Sequence, residues 1–269
     1  MSKKRREVSD ESDSDDRFDI RSHALDLPSG YFIAPHSHDW HQLIYASRGV
    51  MTVNTATGSW VVPARRAVWV PAEETHEIRM TGTVSLRTLY LRVDICQSLP
   101  GECCVINVSP LLRELILHTI KLGMLDRTKP SQARLVGVIL DELQTIPTMP
   151  LKLPMPSDNR ALKVAEILRE RPDDRRSIEQ ISQTVGAAKR TIERLFLSET
   201  DMTFGKWRQQ LRLLHALRLL ASGEPVTSVA LSVGYDSTSA FISAFKNAMG
   251  TTPGRYYAEI HTSPASGAS

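Results

Sequence analysis

An internal repeat near the C-terminal end constrains the fold of this chain more than any other feature of its sequence. SIEQISQTVG (177–186) and PVTSVALSVG (225–234) share apolar positions and a final glycine at an offset of 48 residues. Beyond the glycine the offset becomes 49, and the matched pairs are Ile192/Phe241, Phe196/Phe245, Asp201/Gly250 and Trp207/Tyr256. Each unit therefore predicts a helix, a tight turn at the glycine and a second helix with one aromatic anchor. In the first unit, Ser177 and Gln180 predict a capping box at the helix start.

The order of these elements is that of the helix-turn-helix motif, whose second helix enters the major groove of DNA. Residues 203–222, between the two units, carry apolar side chains at helical spacing, namely Phe204, Trp207, Leu211, Leu214 and Leu217. A helix of this length spans about 30 Å, close to the ~34 Å of one turn of B-DNA. The spacing predicts a connector that holds two recognition helices in successive major grooves on one face of the duplex.

The distribution of charge favours a polyanionic partner for the same part of the chain. From Asp158 onward there are 15 Lys and Arg against 12 Asp and Glu, whereas the first 157 residues contain 18 of each. The whole net charge of +3 therefore lies in the C-terminal part.

The N-terminal half has a different sequence pattern from the C-terminal part. Residues 18–95 contain short β-branched and aromatic runs separated by turn signals, which predict a barrel or sandwich. Within 96–145 the period becomes helical, with apolar stripes at Leu111, Leu112, Leu115 and Ile116 and at Leu135, Val136, Ile139, Leu140 and Leu143. These two helices either cover the barrel or pair with a second subunit, and we favour a homodimer.

The ends of the domains follow from composition. Residues 146–159 hold four prolines within 147–156, which predicts a semi-rigid linker and a domain boundary. Residues 1–17 are charged and poor in apolar side chains, so we expect a disordered tail there, and a flexible tail at 258–269. The start of the chain lacks the apolar core of a signal peptide, and apolar runs are shorter than the ~20 residues of a membrane span. We expect a cytoplasmic, nucleoid-associated protein.

Cys96, Cys103 and Cys104 are expected to be reduced thiols, with a redox role for the adjacent pair as the alternative.

HSHDWHQ (36–42) concentrates three histidines in one stretch. If it is a strand, His36, His38, Trp40 and Gln42 share one face and His41 lies on the other. The pattern H-x-H-x3-Q-x6-G (36–49) resembles the first cupin motif, with Gln42 where that motif has Glu, and His76 occupies the histidine position of the second. Three interpretations remain: a metal centre of His36, His38, Gln42 and His76, ordinary surface or core histidines, or an effector pocket. We favour the pocket, with apolar contact from Trp40, Tyr45 and Trp69 and with His36, His38, Gln42 and His76 as its polar groups. We expect no cofactor, no bound metal and no catalytic residue.

RLLHALRLLASGEPVTSVALSVGYDSTSAFISAFKNAMGTTPGRYY (212–257) resembles the signature of AraC/XylS transcriptional regulators, and the similarity covers about 160–257. The resemblance implies a bipartite DNA-binding domain over 160–257, with helix-turn-helix units at 177–198 and 226–249. Such proteins commonly carry a cupin-like effector domain in front. The implied partners are promoter or operator DNA, a small effector and, for an activator, RNA polymerase.

Carried over onto this chain, the first recognition helix is AKRTIERLF (188–196). Arg190, Glu193 and Arg194 would meet base edges, where Arg can bind guanine and Glu can accept from cytosine, with Lys189 and Thr191 nearer phosphate. The second is STSAFISAF (237–245), whose outward residues are Thr238, Ser239, Ile242 and Ser243, with Lys246 behind them. The alternative for the first helix is a merely solvated charged face, whereas the short, mostly uncharged side chains of the second suggest weaker binding biased toward the DNA backbone. We expect the first helix to contribute more to specificity than the second.

These observations predict an all-β cupin-like (jelly-roll) barrel, an α-helical pair, and an all-α domain of two helix-turn-helix units joined by a long helix. The predicted function is a DNA-binding regulator that senses an effector, and not an enzyme. The alternatives are a metal-binding cupin enzyme with a DNA-binding module and an architectural DNA-binding protein. GVMTVNTATGSWVVPARRAVWVP (49–71) resembles a subgroup that includes a nitroimidazole-transporter regulator. That likeness implies control of the protein's own gene or of a neighbouring transporter gene, with the sign of regulation undetermined.

Overall fold

The computed structural model describes residues 17–145, 148–149 and 151–261. The expectations for residues 1–16 and 262–269 lie outside this range. Within the described ranges, no helix combines the length and hydropathy that a bilayer crossing requires. The chain has two parts, an antiparallel sheet domain followed by a helical domain.

Strands of the described residues form a single antiparallel sheet. Their bounds are β1 (Phe18–Leu27), β2 (Phe32–His36), β3 (His41–Thr55), β4 (Gly58–Pro63), β5 (Arg66–Val70), β6 (His76–Leu91), β7 (Cys104–Asn107), β8 (Met124–Asp126), β9 (Thr148–Met149) and β10 (Lys152–Pro154). The main order is β8-β1-β6-β3-β5-β7-β9; β2 pairs with β6, and β4 lies between β3 and β10. The segment predicted as purely helical, 96–145, thus also contributes β7 and β8.

The two longest strands, β3 and β6, bend the sheet. The first part of β3 pairs with β5 and the end of β6, whereas its second part pairs with β4 and the start of β6. The register shifts around Arg48, next to Gly49, whose φ is +79°. A Cβ on Gly49 would lie 2.4 Å from the carbonyl oxygen of Thr83, so only glycine fits this bulge.

Two helices cover one face of the sheet. They are α1 (Pro110–Leu122) and α2 (Pro130–Thr145), and their buried side chains share a cluster with Leu43 and Leu89 of the sheet. Helix α1 begins at the Ser109 cap, whose hydroxyl accepts from the Leu112 amide at 3.0 Å and donates to Glu142 at 2.6 Å. Of the two roles considered for this pair, covering the sheet is present in the monomer, and the favoured pairing with a second subunit stays a prediction.

Seven helices form the C-terminal part of the described chain. Their bounds are α3 (Asn159–Glu170), α4 (Ile178–Thr184), α5 (Lys189–Thr200), α6 (Phe204–Ala221), α7 (Val226–Ser232), α8 (Thr238–Met249) and α9 (Pro253–His261). The repeat is evident in their lengths, since α4 and α7 have 7 residues each and α5 and α8 have 12 each. The capping box of Ser177 and Gln180 is present. Helix α9 runs to His261, so the start of the predicted flexible tail is helical.

The proline-rich segment differs from the predicted linker. Lys152–Pro154 pairs with Gly58–Trp60 of β4, and Thr148–Met149 pairs with β7. Pro154 is compatible with strand pairing because β10 pairs only with β4 among the described strands. Trp207 of α6 donates its indole N–H to the carbonyl of Pro154 at 2.7 Å. This segment is therefore part of the interface between the sheet and α6.

The sheet and the helical part share one hydrophobic core. Helix α6 contacts β3, β4, β6 and β10. A continuous cluster of buried apolar side chains includes Trp60 and Val62 from the sheet and Trp207 and Leu214 from α6. Burial of this surface couples the position of α6 to the sheet.

Candidate DNA-binding surface and effector site

Helix α5 presents a charged face to solvent. Its apolar side chains Ile192, Leu195 and Phe196 are buried, which leaves Arg190, Glu193 and Arg194 exposed and Thr191 half-buried. The predicted base-reading residues therefore share one accessible face, as a helix that enters a major groove requires.

Lys189, predicted to lie near phosphate, has partners within the protein. Its Nζ is 2.6 Å from Glu179 of α4 and 4.0 Å from Glu193. The bond with Glu179 raises the pKa of Lys189 and lowers that of Glu179. The pair ties the start of α5 to α4, although an exposed ion pair of this kind stabilises a protein only slightly.

Helix α8 presents a less charged face. Ser239, Ser243 and Lys246 are exposed, and Thr238 and Ile242 are half-buried. Phe241 and Phe245 on the opposite face are buried. The Ser237 hydroxyl caps the helix by accepting from the Ala240 amide at 3.2 Å.

Aromatic pairs anchor the two recognition helices in the same way. Phe196 and Trp207 have ring centroids 5.1 Å apart at 70°, and Phe245 and Tyr256 repeat the contact at 5.6 Å and 64°. The helices also end alike, since Asp201 and Gly250 have φ angles of +55° and +73°. The connector α6 has 18 residues, which gives a length of about 27 Å.

Two arginines of α6 that the sequence analysis missed hold the segment in front of α4. Arg208 donates to the carbonyls of Asp174 and, at 2.8 Å, Arg176. Arg212 donates to the carbonyls of Pro172 at 3.3 Å and Asp174 at 3.0 Å. Burial lowers the pKa of both arginines. Their spacing of four on one helix was visible in the sequence, but their carbonyl partners were not.

In the sheet domain, three of the predicted histidines lie together. His36 ends β2, His38 follows in the loop, and His76 starts β6 opposite His36. The ring centroids are 4.3 Å apart for His36 and His76, 5.2 Å for His38 and His76, and 6.1 Å for His36 and His38. His38 and His76 are buried and His36 is half-exposed, so the cluster has an opening toward solvent.

Gln42 joins this cluster, and so does Thr88, which sequence reasoning did not find. The Gln42 amide donates to the Thr88 hydroxyl at 3.0 Å, and its oxygen lies 3.0 Å from Nε2 of His38. Burial lowers the pKa of His76 to about 4, against the opposing effect of its bond to the Glu74 carbonyl. His76 is therefore neutral near pH 7.

The three aromatic residues predicted for the pocket lie elsewhere. Residues 37–40 form a loop, so strand alternation does not apply, and Trp40 packs under the Arg21 guanidinium at 4.6 Å. Tyr45 lies on the opposite face of β3 from Gln42, in the cluster that α1 and α2 cover. Trp69 shares that cluster, stacks on His41 at 5.0 Å and donates to the Pro100 carbonyl at 2.8 Å. His41 lies beside Trp69 and is not part of the histidine cluster.

The three cysteines are free thiols. Burial raises the pKa of Cys96 and Cys103 to about 12 and that of Cys104 to about 11. Because the thiolate is the reactive form, this environment opposes a redox role for the adjacent pair.

Comparison with known proteins gives matches over both domains. The model of the AraC-like ligand binding domain matches residues 18–137, and that of a helix-turn-helix domain matches 181–259. The HTH-type transcriptional regulator NimR of Escherichia coli (strain K12) is 37% identical over 227 residues, 84% of this chain and 83% of NimR. The HTH-type transcriptional regulator RipA of Corynebacterium glutamicum is 35% identical over 103 residues, 38% of this chain and 31% of RipA. Among solved structures, ToxT from Vibrio cholerae aligns with a TM-score of 0.39 at 13% identity, over 90% of this chain and 96% of ToxT. On the match to NimR and the two domain models, the chain belongs to the AraC family of DNA-binding transcriptional regulators.

Proposed function

We propose that this regulator binds a small effector in its sheet domain and thereby changes how its two recognition helices engage operator DNA. The observation that carries the proposal is the position of β10, which pairs with β4 and also accepts a hydrogen bond from α6. One short segment thus touches both the sheet and the helix that spaces the DNA-reading elements.

The proposed effector site is the histidine cluster with Gln42. Buried polar groups orient a ligand in small-molecule sites, and this cluster combines two buried imidazoles with a buried amide. The match of residues 18–137 to the AraC-like ligand binding domain supports an effector role. The sheet around the site would form the cupin-like barrel that the sequence motifs imply.

Transmission would run through β4, β10 and α6. An effector can shift an equilibrium only if it binds two states of the protein with different affinity. Movement of β4 relative to α6 would change the Trp207–Pro154 contact and with it the position of both recognition helices. A shared hydrophobic core makes such a change an all-or-none repacking rather than a gradual deformation.

On DNA, Arg190, Glu193 and Arg194 of α5 would read base edges, with Lys189 and Thr191 near phosphate. Thr238, Ser239, Ile242, Ser243 and Lys246 of α8 would enter the next major groove with fewer charged contacts. The length of α6, about 27 Å, is of the order of the ~34 Å helical repeat that separates successive major grooves on one face of the duplex.

The proposed homodimer forms through the outer face of α1 and α2. A surface groove of about 430 Å³ runs between these helices. Its lining consists of four apolar residues, Leu115, Leu122, Leu135 and Val138, and four polar ones, His118, Ser131, Gln132 and Arg134. Leu122 and Val138 are each 42% exposed, so this groove presents large apolar side chains to solvent. A dimer would place two bipartite domains on paired half-sites.

The proposed targets are the protein's own gene and a neighbouring gene, with a transporter as the class implied by the subgroup likeness. RNA polymerase would be a further partner of an activator, and the protein would act at the cytoplasmic nucleoid.

The test of the proposed function uses full-length protein and the intergenic DNA beside its own gene. Candidate effectors are screened by thermal shift, since a ligand that binds only the folded state raises the Tm. A compound that stabilises the protein and changes its gel-shift affinity supports the proposal. Compounds that stabilise the protein but leave DNA binding unchanged would contradict it.

A further inference from the structure

We propose that His36, His38 and His76 form a binding site for a divalent first-row transition-metal ion. Within the described part of the chain, one ring nitrogen from each of these residues lies within 4.8 Å of the others. The inference rests on the proposed function only in its location, because the ion would lie in the proposed effector pocket. Its test requires neither an effector nor DNA.

The backbone fixes all three imidazoles in the same tautomer. Each Nδ1 faces a carbonyl oxygen two residues away: His36 with Ala34 at 2.8 Å, His38 with Trp40 at 2.6 Å and His76 with Glu74 at 2.9 Å. A carbonyl can only accept, so each Nδ1 carries the proton. In a neutral ring Nε2 is then a lone-pair donor. Carbonyl partners of this kind orient metal-binding histidines in proteins.

His76 gives independent support. Its side chain is buried, with 1% of the residue exposed, and its Nε2 has no hydrogen-bond partner among the described residues. A buried nitrogen acceptor without a partner is costly, and most buried polar atoms avoid that state. A metal ion between the three rings would satisfy this nitrogen and the lone pairs of the other two.

Gln42 would supply a fourth and weaker metal ligand through its side-chain oxygen. Its oxygen faces Nε2 of His38 at 3.0 Å, and since that nitrogen carries no proton, two lone pairs oppose each other. A metal ion bound to both atoms would remove this repulsion. A Gln42 side-chain amide with its oxygen and nitrogen exchanged would also remove it, because its NH₂ group would donate to Nε2 of His38. Replacement of Gln42 by glutamate separates these cases, because a carboxylate strengthens a metal site but does not assist an amide hydrogen bond.

The donor set also indicates the class of effector. Three neutral imidazoles and a neutral amide leave the charge of a divalent ion uncompensated. Beside the three histidines and the weak Gln42 oxygen, a fifth coordination position would take water or an added ligand, because zinc sites can expand to five-coordinate. His36 is half-exposed, so this position would face solvent. The effector would therefore be a small molecule with an anionic donor group that binds the ion directly.

The experiment uses full-length protein stripped with EDTA and then titrated with Zn²⁺ and Co²⁺. We expect one ion per chain by calorimetry and visible Co²⁺ bands of four- or five-coordinate geometry. His36→Ala and the conservative His76→Gln should each weaken binding roughly 100-fold, and Gln42→Glu should tighten it about tenfold. The control is His23→Gln, which replaces an exposed histidine of β1 outside the cluster and should leave affinity unchanged. Circular dichroism of each stripped variant confirms that it is folded.

Three results would overturn the site: no stoichiometric binding by the folded protein, equal losses for His36→Ala and His23→Gln, or no gain from Gln42→Glu. Azide added to the Co²⁺ form tests the open position, and an unchanged spectrum would refute an anionic effector on the ion. The proposed function fails separately, if effectors leave DNA binding unchanged while the metal data hold.

Discussion

Gly234 lies so close to Arg212 that a Cβ on the glycine would be 2.7 Å from a guanidinium nitrogen. The same guanidinium is anchored by the carbonyls of Pro172 and Asp174. The turn of the second helix-turn-helix unit, the connector α6 and the segment before the first unit therefore meet at one point. This contact links the two helix-turn-helix units through α6.

Gly234→Ala should destabilise the protein more than the matched change in the first unit. Gly234 has a φ of +81° and no room for a methyl group, since Cα of Asp173 is also 3.1 Å from the Cβ position. Strain and close contact together should cost about 2–4 kcal/mol of unfolding free energy. The control is Gly186→Ala, where φ is +67° but the Cβ position is open, so about 1 kcal/mol is expected. Urea denaturation of both variants measures the difference, and equal losses would show that the Arg212 contact does not constrain the turn.

Arg190→Ala and Arg194→Ala should weaken specific DNA binding more than Ser239→Ala or Ser243→Ala. All four side chains are exposed, but only the arginines can contact a guanine bidentately, which accounts for about 1–3 kcal/mol of discrimination. The measurement is a gel-shift series on the intergenic fragment with a scrambled fragment as reference. If the serine variants of α8 lost as much specificity as the arginine variants, the ranking of the two helices would be wrong.

Trp207→Phe should loosen the contact between α6 and β10. Phenylalanine keeps the packing against Phe196 but cannot donate to the Pro154 carbonyl, a loss of about 1 kcal/mol. The local readout is tryptic cleavage after Lys152, which should become faster because opening of β10 exposes the bond. Trp69→Phe is the matched control, since it removes an indole bond to the Pro100 carbonyl within the sheet domain. Faster cleavage in both variants would indicate general destabilisation instead of a local contact.

The three thiols should not react with a disulfide reagent at pH 8 while the protein is folded. Their pKa values of about 12, 12 and 11 leave almost no thiolate, and denaturant should release all three. The same pKa shifts make the free energy of unfolding depend on pH. Folded thiols keep their protons to higher pH than unfolded ones, so the contribution of the thiols to stability is present below about pH 8.5 and is lost as the pH rises toward 11–12. One rapidly reacting thiol per native chain would contradict the buried environment.

Val138→Glu should dissociate the proposed dimer. Burial of a carboxylate among the leucines of the α1/α2 groove carries a desolvation cost on dimerisation, whereas Val138 is exposed in the monomer and tolerates the change there. Sedimentation velocity compares this variant with Leu231→Glu, a change at a 59% exposed position of α7. A dimer that survives Val138→Glu, or that is lost in both variants, would move the interface away from this groove.

The two repeated helix pairs and the connector between them could be predicted from the sequence, whereas α3 and α9 were not. The repeat offsets of 48 and 49 match apolar positions, so they predict that α4 and α7 have equal lengths and that Asp201 corresponds to Gly250. Both of these residues follow the end of a helix and have a positive φ. Short-range sequence patterns are sufficient to predict such helices, because the contacts that define them join residues one or two helical turns apart.

The site in the sheet domain was predictable only in part. His36, His38, Gln42 and His76 were identified by their resemblance to the two cupin motifs, but a loop at 37–40 stands where a strand was expected. Tyr45 differs from Gln42 by an odd number of positions in β3, so alternation itself places it on the other face. Thr88 could not be found, because the register that brings it to Gln42 joins residues 46 apart. Proline indicated a linker at 146–159, yet an edge strand tolerates proline as well.

DNase I or hydroxyl-radical footprinting on the intergenic DNA tests the central claim most directly, namely that α6 holds α5 and α8 in register with one face of the duplex. The account predicts two protected patches per bound domain, centred about 10 base pairs apart on the same face. Loss of Arg194 should weaken one patch before the other. A single patch, or two patches on opposite faces of the helix, would contradict it.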